Sequence, residues 1–339
     1  MRLSVLDQSP IREGGTARDA INESIALARR VDALGYHRYW FAEHHNSGGL
    51  ASSAPEVLIA RVAAETSRLR VGSGGVMLTH YAPLKVAEQF RTLEALYPGR
   101  IDLGLGRAPG SDGLTAQALA YGPGALTLEH YPRQVLDLVQ HLDGGVPEGH
   151  PHHGVRATPA VEGMPEVWLL GSSNESATLA AEFGLPLSFA HFINGPGAAT
   201  AVELYRERFK PSRWLDAPRV NVGVAAIAAE TAEEAELLAW SRYAMRVRRS
   251  RGLAGVPPPE AARDYDYTQP ELEYIEYSRP RSAVGDPRQV RERLLAIAAE
   301  LDADELVVLT ITYAFEARVR SYELLAEAFG LDGVTGGER

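Results

Sequence analysis

The stretch Tyr39-Trp40-Phe41-Ala42-Glu43-His44-His45 passes from apolar to polar in one step and ends in a carboxylate and two imidazoles. Those groups could form a metal site, form a catalytic site, or be only the polar end of a buried strand. Successive side chains of a strand point to opposite faces, so His44 and His45 do not easily share one metal. Zinc sites favour H-x-H on a strand or H-E-x-x-H on a helix, and this stretch has neither spacing. Three polar residues directly after an apolar run favour a site over a solvated strand end.

Three further stretches could hold a ligand. Gly72-Ser73-Gly74-Gly75 interrupts an apolar run, and glycine inside a strand marks a bulge, a packing contact, or a ligand pressed against the backbone. Gly104-Leu105-Gly106-Arg107 ends in a guanidinium, which suits a phosphate or carboxylate, although a structural ion pair would use it equally well. Gly171-Ser172-Ser173-Asn174 leads into a helix. Free N–H groups and hydroxyls there form an anion site, or the serines only cap the helix, or both. His150-Pro151-His152-His153 lies in an irregular segment and reads as a solvated loop rather than a metal site.

These stretches need elements to position them. Strand-like runs fall at Leu3–Leu6, Tyr36–Ala42, Leu69–Leu78, Arg100–Gly106, Val167–Gly171, Pro186–Phe192, Arg219–Ala228 and Glu305–Ile311. Helical periodicity lies between them, as in Ala17–Leu34, which Gly35 stops. Eight βα units predict an α/β fold, a single (β/α)8 TIM barrel over residues 1–339. Its insertions are expected after the fourth strand, at about 108–165, and after the seventh helix, at about 250–284, both read as largely irregular. An open doubly wound sheet is the alternative, but no G-x-G-x-x-G turn follows the first strand. Barrel sites lie at the carboxyl ends of strands, where Glu43-His44-His45, Arg107 and Ser172-Ser173 all fall.

Composition narrows the classes. Of 339 residues 45% are hydrophobic and 23% charged, the balance of an ordinary globular protein. The net charge of −10 argues against broad binding to nucleic acid or to an anionic membrane. With no cysteine there is no thiolate chemistry and no Cys-based metal site, and the chain reads as cytoplasmic.

Taken in order, Tyr39–His45, Leu69–Leu78 with Pro83-Leu84-Lys85-Val86-Ala87-Glu88 after it, Gly99–Arg107, Leu170–Ser173 and Val284-Gly285-Asp286-Pro287 resemble the bacterial luciferase-like flavin monooxygenase family. No single motif carries the resemblance; order and spacing over about residues 3 to 329 do. It implies a barrel holding flavin at its carboxyl end, with Gly74-Gly75 forming a bulge and a non-proline cis peptide against the ring. It implies that Arg107, Gly171, Ser172 and Ser173 hold the flavin phosphate, that Glu43 belongs to the cofactor's polar rim, and that His44 serves the chemistry. Reduced FMN from a separate flavin reductase would react with O2, and one oxygen atom would enter a small organic substrate. Family members usually dimerise through their second and third helices, so a homodimer is expected. Residues 250–284 lie where the family carries a lid, which Tyr265, Tyr267, Tyr274 and Tyr277 could close.

Three rivals remain at the level of sequence. One is a relative that uses F420 for hydride transfer without oxygen. Another is a flavin-binding barrel without turnover, which retention of His44 and Arg107 disfavours. The third is a metal-dependent barrel hydrolase, which the lack of H-x-H at Leu6-Asp7-Gln8-Ser9 disfavours.

Overall fold

Parallel strands joined by helices must bury both faces, and the strands here are accordingly buried along almost their whole length. The computed structural model describes residues 1–108, 110–119 and 128–333. Among these, nine strands form one sheet: β1 (Arg2–Asp7), β2 (Arg38–Phe41), β3 (Arg70–Met77), β4 (Ile101–Gly106), β5 (Glu166–Gly171), β6 (Leu187–Ala190), β7 (Val220–Ala228), β8 (Ser282–Gly285) and β9 (Glu305–Leu309). All pairings between these strands are parallel. The sheet closes on itself, since β6 pairs with β7, β7 with β9, and β9 with β1. The result is an eight-stranded (β/α)8 barrel of β1–β7 and β9.

β8 stands outside that circuit. The first half of β7 pairs with β9 and its last four residues, Ala225–Ala228, pair with Ser282–Gly285. The expectation that 250–284 is irregular is therefore corrected. That stretch contains helices Pro259–Arg263 and Gln269–Ser278 and the strand β8. The second helix had a readable signal in Thr268 and Glu271, which form a capping box. Tyr267 stacks on Trp240, with centroids 6.2 Å apart, and joins a satellite core containing Tyr243, Val247 and Ile275. Between β4 and β5 lie helices Gly113–Leu119 and Tyr131–Leu142, the first of which the sequence reading did not anticipate.

The barrel interior is layered. Arg38, Arg70 and Glu166 open their strands, Asp102 and Glu305 lie beside them near strand starts, and Arg219 immediately precedes β7. Arg38 pairs with Asp102 at 2.8 Å, Glu305 at 2.8 Å and Glu166 at 3.0 Å. Above this ionic plug sit Leu6, Trp40, Trp168 and Val307, with the two indoles edge to face at 5.6 Å. Trp40 Nε1 donates to Asp102 at 2.9 Å, tying the apolar layer to the charged one. The third layer, at the carboxyl ends, leaves space.

Candidate active site

The space is a cavity of about 400 Å³, within the usual range for a small-molecule site. His44 follows β2, Gly74 and Gly75 lie in β3, Arg107 follows β4, and Gly171 to Ser173 close β5. These four strands are consecutive neighbours, so the residues form an arc. At about 4.8 Å per strand the arc spans about 14 Å, room for a planar ring between His44 and the serines. Leu6, Trp40, Met77 and Leu170 supply apolar walls.

Seven of the eight sequence-derived residues line this cavity: His44, Gly74, Gly75, Arg107, Gly171, Ser172 and Ser173. Glu43 does not. Its carboxylate is buried, accepting from Met77 N at 3.0 Å and Tyr81 OH at 2.7 Å, with His45 Nε2 at 2.6 Å. Glu43, read as part of the cofactor's polar rim, stands behind that rim rather than lining it, and the reason is parity. Trp40, Ala42 and His44 face the barrel axis, so Glu43 faces away with Tyr39 and Phe41. Its work is to hold the end of β3, and with it the glycines, in place. Glu43→Ala would strand a buried N–H, a hydroxyl and an imidazole, and is expected to cost about 2–4 kcal/mol in urea unfolding. Glu43→Gln, which keeps an acceptor, should cost about 1 kcal/mol.

The glycines divide by cause. The Gly74–Gly75 peptide is cis and the β3–β4 register shifts between Ser73 and Val76, a bulge. A Cβ on Gly75 would lie 2.7 Å from Gly104 O, and one on Gly72 2.4 Å from Asp102 O. Close strand packing is thus sufficient reason for those two. A Cβ on Gly74 would instead meet Leu6 and the Cβ of Trp40, at 2.7 and 3.1 Å, in the cavity floor.

At the other end of the arc Ser173 is the N-cap of helix Asn174–Phe183, so capping and cavity lining coincide in one residue. Arg107 is half exposed and paired with Glu175 at 2.5 Å, the structural ion pair that its sequence left open. Glu175 is 71% exposed and can release the guanidinium to a stronger anion at little cost. A smaller cavity beside it is lined by Arg107, Ser176 and Tyr131. The buried Tyr131 hydroxyl has no partner among the described residues. Ser176 lies in the helix start that the sequence offered as an anion site or cap, whereas sequence reasoning missed Tyr131, which strand parity could not find because it belongs to a helix.

Burial, followed by the charges of Arg249 and His45, brings His44 down to about 4. Its Nδ1 is buried with no partner among the described residues, and its backbone N–H donates to Ser52 O at 2.9 Å. The ring is neutral at pH 7. Between the ordinary 6.5 and about 4 the unfolded chain takes up a proton that the native ring refuses, so stability falls as pH drops through that window. His37, also lowered to about 4 by burial and then Arg38, adds in the same direction. His44→Asn should reduce, and not abolish, the loss of urea stability between pH 7 and pH 5. An unchanged loss would show that His44 titrates normally.

The histidine-rich loop differs in part from its reading as solvated. His150 approaches Asp137 at 3.3 Å and its side chain is only 5% exposed. Among the described residues no group of three or more His, Asp or Glu is gathered as a metal site. Among them, too, no helix is long and apolar enough to cross a membrane.

Comparison with known proteins points the same way as the cavity. Residues 1–305 match the family described as luciferase-like monooxygenase. A protein of that description from Escherichia coli (strain K12) is 45% identical over 322 residues, 95% of each chain. An N-acetyl-S-alkylcysteine monooxygenase from Bacillus subtilis (strain 168) is 37% identical over 332 residues, 97% of this chain and 98% of that one. The crystal structure of apo-MsnO8 is 42% identical, covers 98% of both chains and superposes with a TM-score of 0.89. The chain belongs to the luciferase-like monooxygenase family, a class of flavin-dependent enzymes that act on small molecules with O2.

Proposed function

We propose that the cavity binds reduced FMN and that the protein inserts one oxygen atom into a small organic substrate. The observation that carries this reading is the distribution of polarity along the arc. Arg107 and the hydroxyls of Ser172, Ser173 and Ser176 gather at one end, apolar walls and the Gly74–Gly75 backbone lie in the middle, and a neutral imidazole stands at the other end. That pattern fits a flat aromatic ring with an anionic tail. When bound, reduced FMN supplies the reaction with O2.

The chain's own residues do the rest. Arg107 and the serines take the phosphate, with the helix N-terminus at Asn174 and the Tyr131 hydroxyl as further donors. Gly74 keeps the floor clear above Leu6 and Trp40. Leu170, Met77 and Phe192 exclude water. His44, neutral and one-sided, offers one donor or one acceptor beside the ring and moves the proton that oxygen transfer requires. F420 would share the phosphate contacts, and oxygen chemistry within the family favours FMN over it. The reading includes a single barrel domain in the cytoplasm, a separate reductase that supplies reduced flavin, and a homodimer through helices Pro55–Glu65 and Pro83–Leu96, where Val57 and Leu96 are exposed.

Anaerobic titration with reduced FMN, riboflavin and reduced F420 tests this. FMN should bind, and riboflavin should bind about 10–100-fold more weakly for want of the phosphate contacts. Arg107→Ala should lower FMN to nearly the riboflavin level and leave riboflavin unchanged. Binding of F420 alone would replace the proposal with hydride transfer, and binding of no flavin would end it.

A further inference from the structure

A second cavity, of about 270 Å³, adjoins the first and shares Gln8, Phe192 and Ile193 with it. Its walls combine an apolar side, Met245, Leu309 and Ile311, with three guanidinium groups, Arg242, Arg246 and Arg281. Arg242, Arg246 and Arg249 stand at i, i+4 and i+7 of helix Ala232–Ser250, so they form one stripe along it. Arg249 is exposed and lines neither cavity, and its charge disfavours the protonated form of His44.

The three guanidinium groups of the cavity have neutral partners among the described residues. Arg242 donates to Ser282 Oγ at 2.6 Å, and Arg281 donates to Ile193 O at 3.1 Å and lies over the Tyr277 ring at 4.3 Å. Arg246 lies over the Tyr274 ring at 5.1 Å. Among the described residues none of the three has a carboxylate partner, whereas arginines of the same region that face elsewhere do. Arg248 pairs with Glu13 at 2.7 Å, Arg251 with Glu271, and Arg279 with Glu236. In a chain with 44 acidic and 34 basic residues, three unneutralised cations around one cavity are not explained by a shortage of acids. Arg246 is exposed to solvent while Arg242 and Arg281 are half-buried; burial pushes Arg242 below its ordinary value, and a cation taken out of water is costly without an opposite charge.

We propose that this second cavity seats the acidic group of the substrate, which is an organic anion: a carboxylate or its sulfonate equivalent on an apolar body. The planar forks of Arg242, Arg246 and Arg281 take the anion. The body lies on Met245, Leu309 and Ile311 and crosses Phe192 and Ile193, which brings its far end beside His44. The assignment of substrate to this cavity rests on the flavin reading of the first.

The test is calorimetric, on the full chain with and without FMN. The probes are straight-chain carboxylates from butanoate to decanoate, the matching alkanesulfonates, and the matching neutral amides. At least one acid should bind about tenfold or more tighter than its amide, the scale of a lost charged hydrogen bond. Sulfonates that bind as well as carboxylates would show that charge alone is read, and a carboxylate preference that the planar fork is. Arg246→Gln and Arg281→Gln, both replacing side chains without a carboxylate partner, should each remove most of that preference and leave FMN affinity unchanged. Equal binding of acids and amides, no binding of any acid, or a loss of FMN affinity with the acid preference intact would overturn the proposal. Acid preference in a protein that binds no flavin would keep the anion cavity and remove the flavin reading, so the two failures are told apart.

Discussion

His44→Ala is expected to lower oxygenated product per reduced flavin consumed by about 10²–10⁴-fold, the usual scale for a positioned proton-transfer group. The expectation follows from three properties found together. The imidazole lines the flavin cavity, it is neutral at working pH, and one ring nitrogen has no partner among the described residues. A group already committed to a carboxylate, as His45 is to Glu43, could not serve in this way. FMN affinity should change by less than about tenfold, because the phosphate contacts lie at the opposite end of the arc. The readouts are reoxidation of bound reduced flavin in air and product formed with any substrate that the unaltered protein oxidises. Faster flavin reoxidation with little product would place His44 at the proton step. An unaltered product yield would remove it from the chemistry. With the ring's pKa near 4, the wild-type profile should show no acid limb near pH 6.5 that His44→Asn abolishes.

The second large effect concerns stability. Asp102→Ala should cost about 3–5 kcal/mol, the scale for removing one partner from a buried ion cluster. Asp102 is fully buried and accepts from Arg38, Arg70 and Trp40 Nε1 at 2.8, 2.8 and 2.9 Å. Burial opposes the Arg38 charge, and Asp102 and Glu305 outweigh it, which holds the guanidinium above its ordinary pKa. Without Asp102 the cluster of Arg38, Arg70 and Arg219 is left short of negative charge, and the indole loses its acceptor. Natural domains are stable by only about 5–15 kcal/mol, so the loss is a large share of the total. Asp102→Asn keeps an acceptor for Trp40 and should cost clearly less. Urea midpoints for the two variants decide the matter. A cost below about 1 kcal/mol for Asp102→Ala would mean that water or rearrangement replaces the ion cluster. Because Trp40 also forms cavity floor, the same variant should weaken flavin binding in the molecules that remain folded.

The amino-acid sequence by itself determined the barrel. The alternation of strand-like and helical runs is a local property, and eight such units leave few ways to bury parallel strands. It also marked where the chemistry gathers, since strand ends that turn from apolar to polar or glycine-rich are visible residue by residue. Parity along Trp40, Ala42 and His44 even contained the answer for Glu43, which alternation places with His45 away from the axis.

Other features were decided only in three dimensions, because they depend on which strand lies beside which. Gly72 and Gly75 are glycines because the β4 backbone passes within 2.4 and 2.7 Å of where a Cβ would stand, a distance no local pattern encodes. β8 is four residues long and exists because β7 overruns β9 and leaves an edge to pair. The ionic plug draws on Arg38, Asp102, Glu166 and Glu305, separated by up to 267 positions and brought together only by closure of the sheet. The stripe of Arg242, Arg246 and Arg249 is present in the sequence as helical spacing. That two of its members, Arg242 and Arg246, line a cavity with no carboxylate partner among the described residues follows from how helix Ala232–Ser250 packs against β7 and β8.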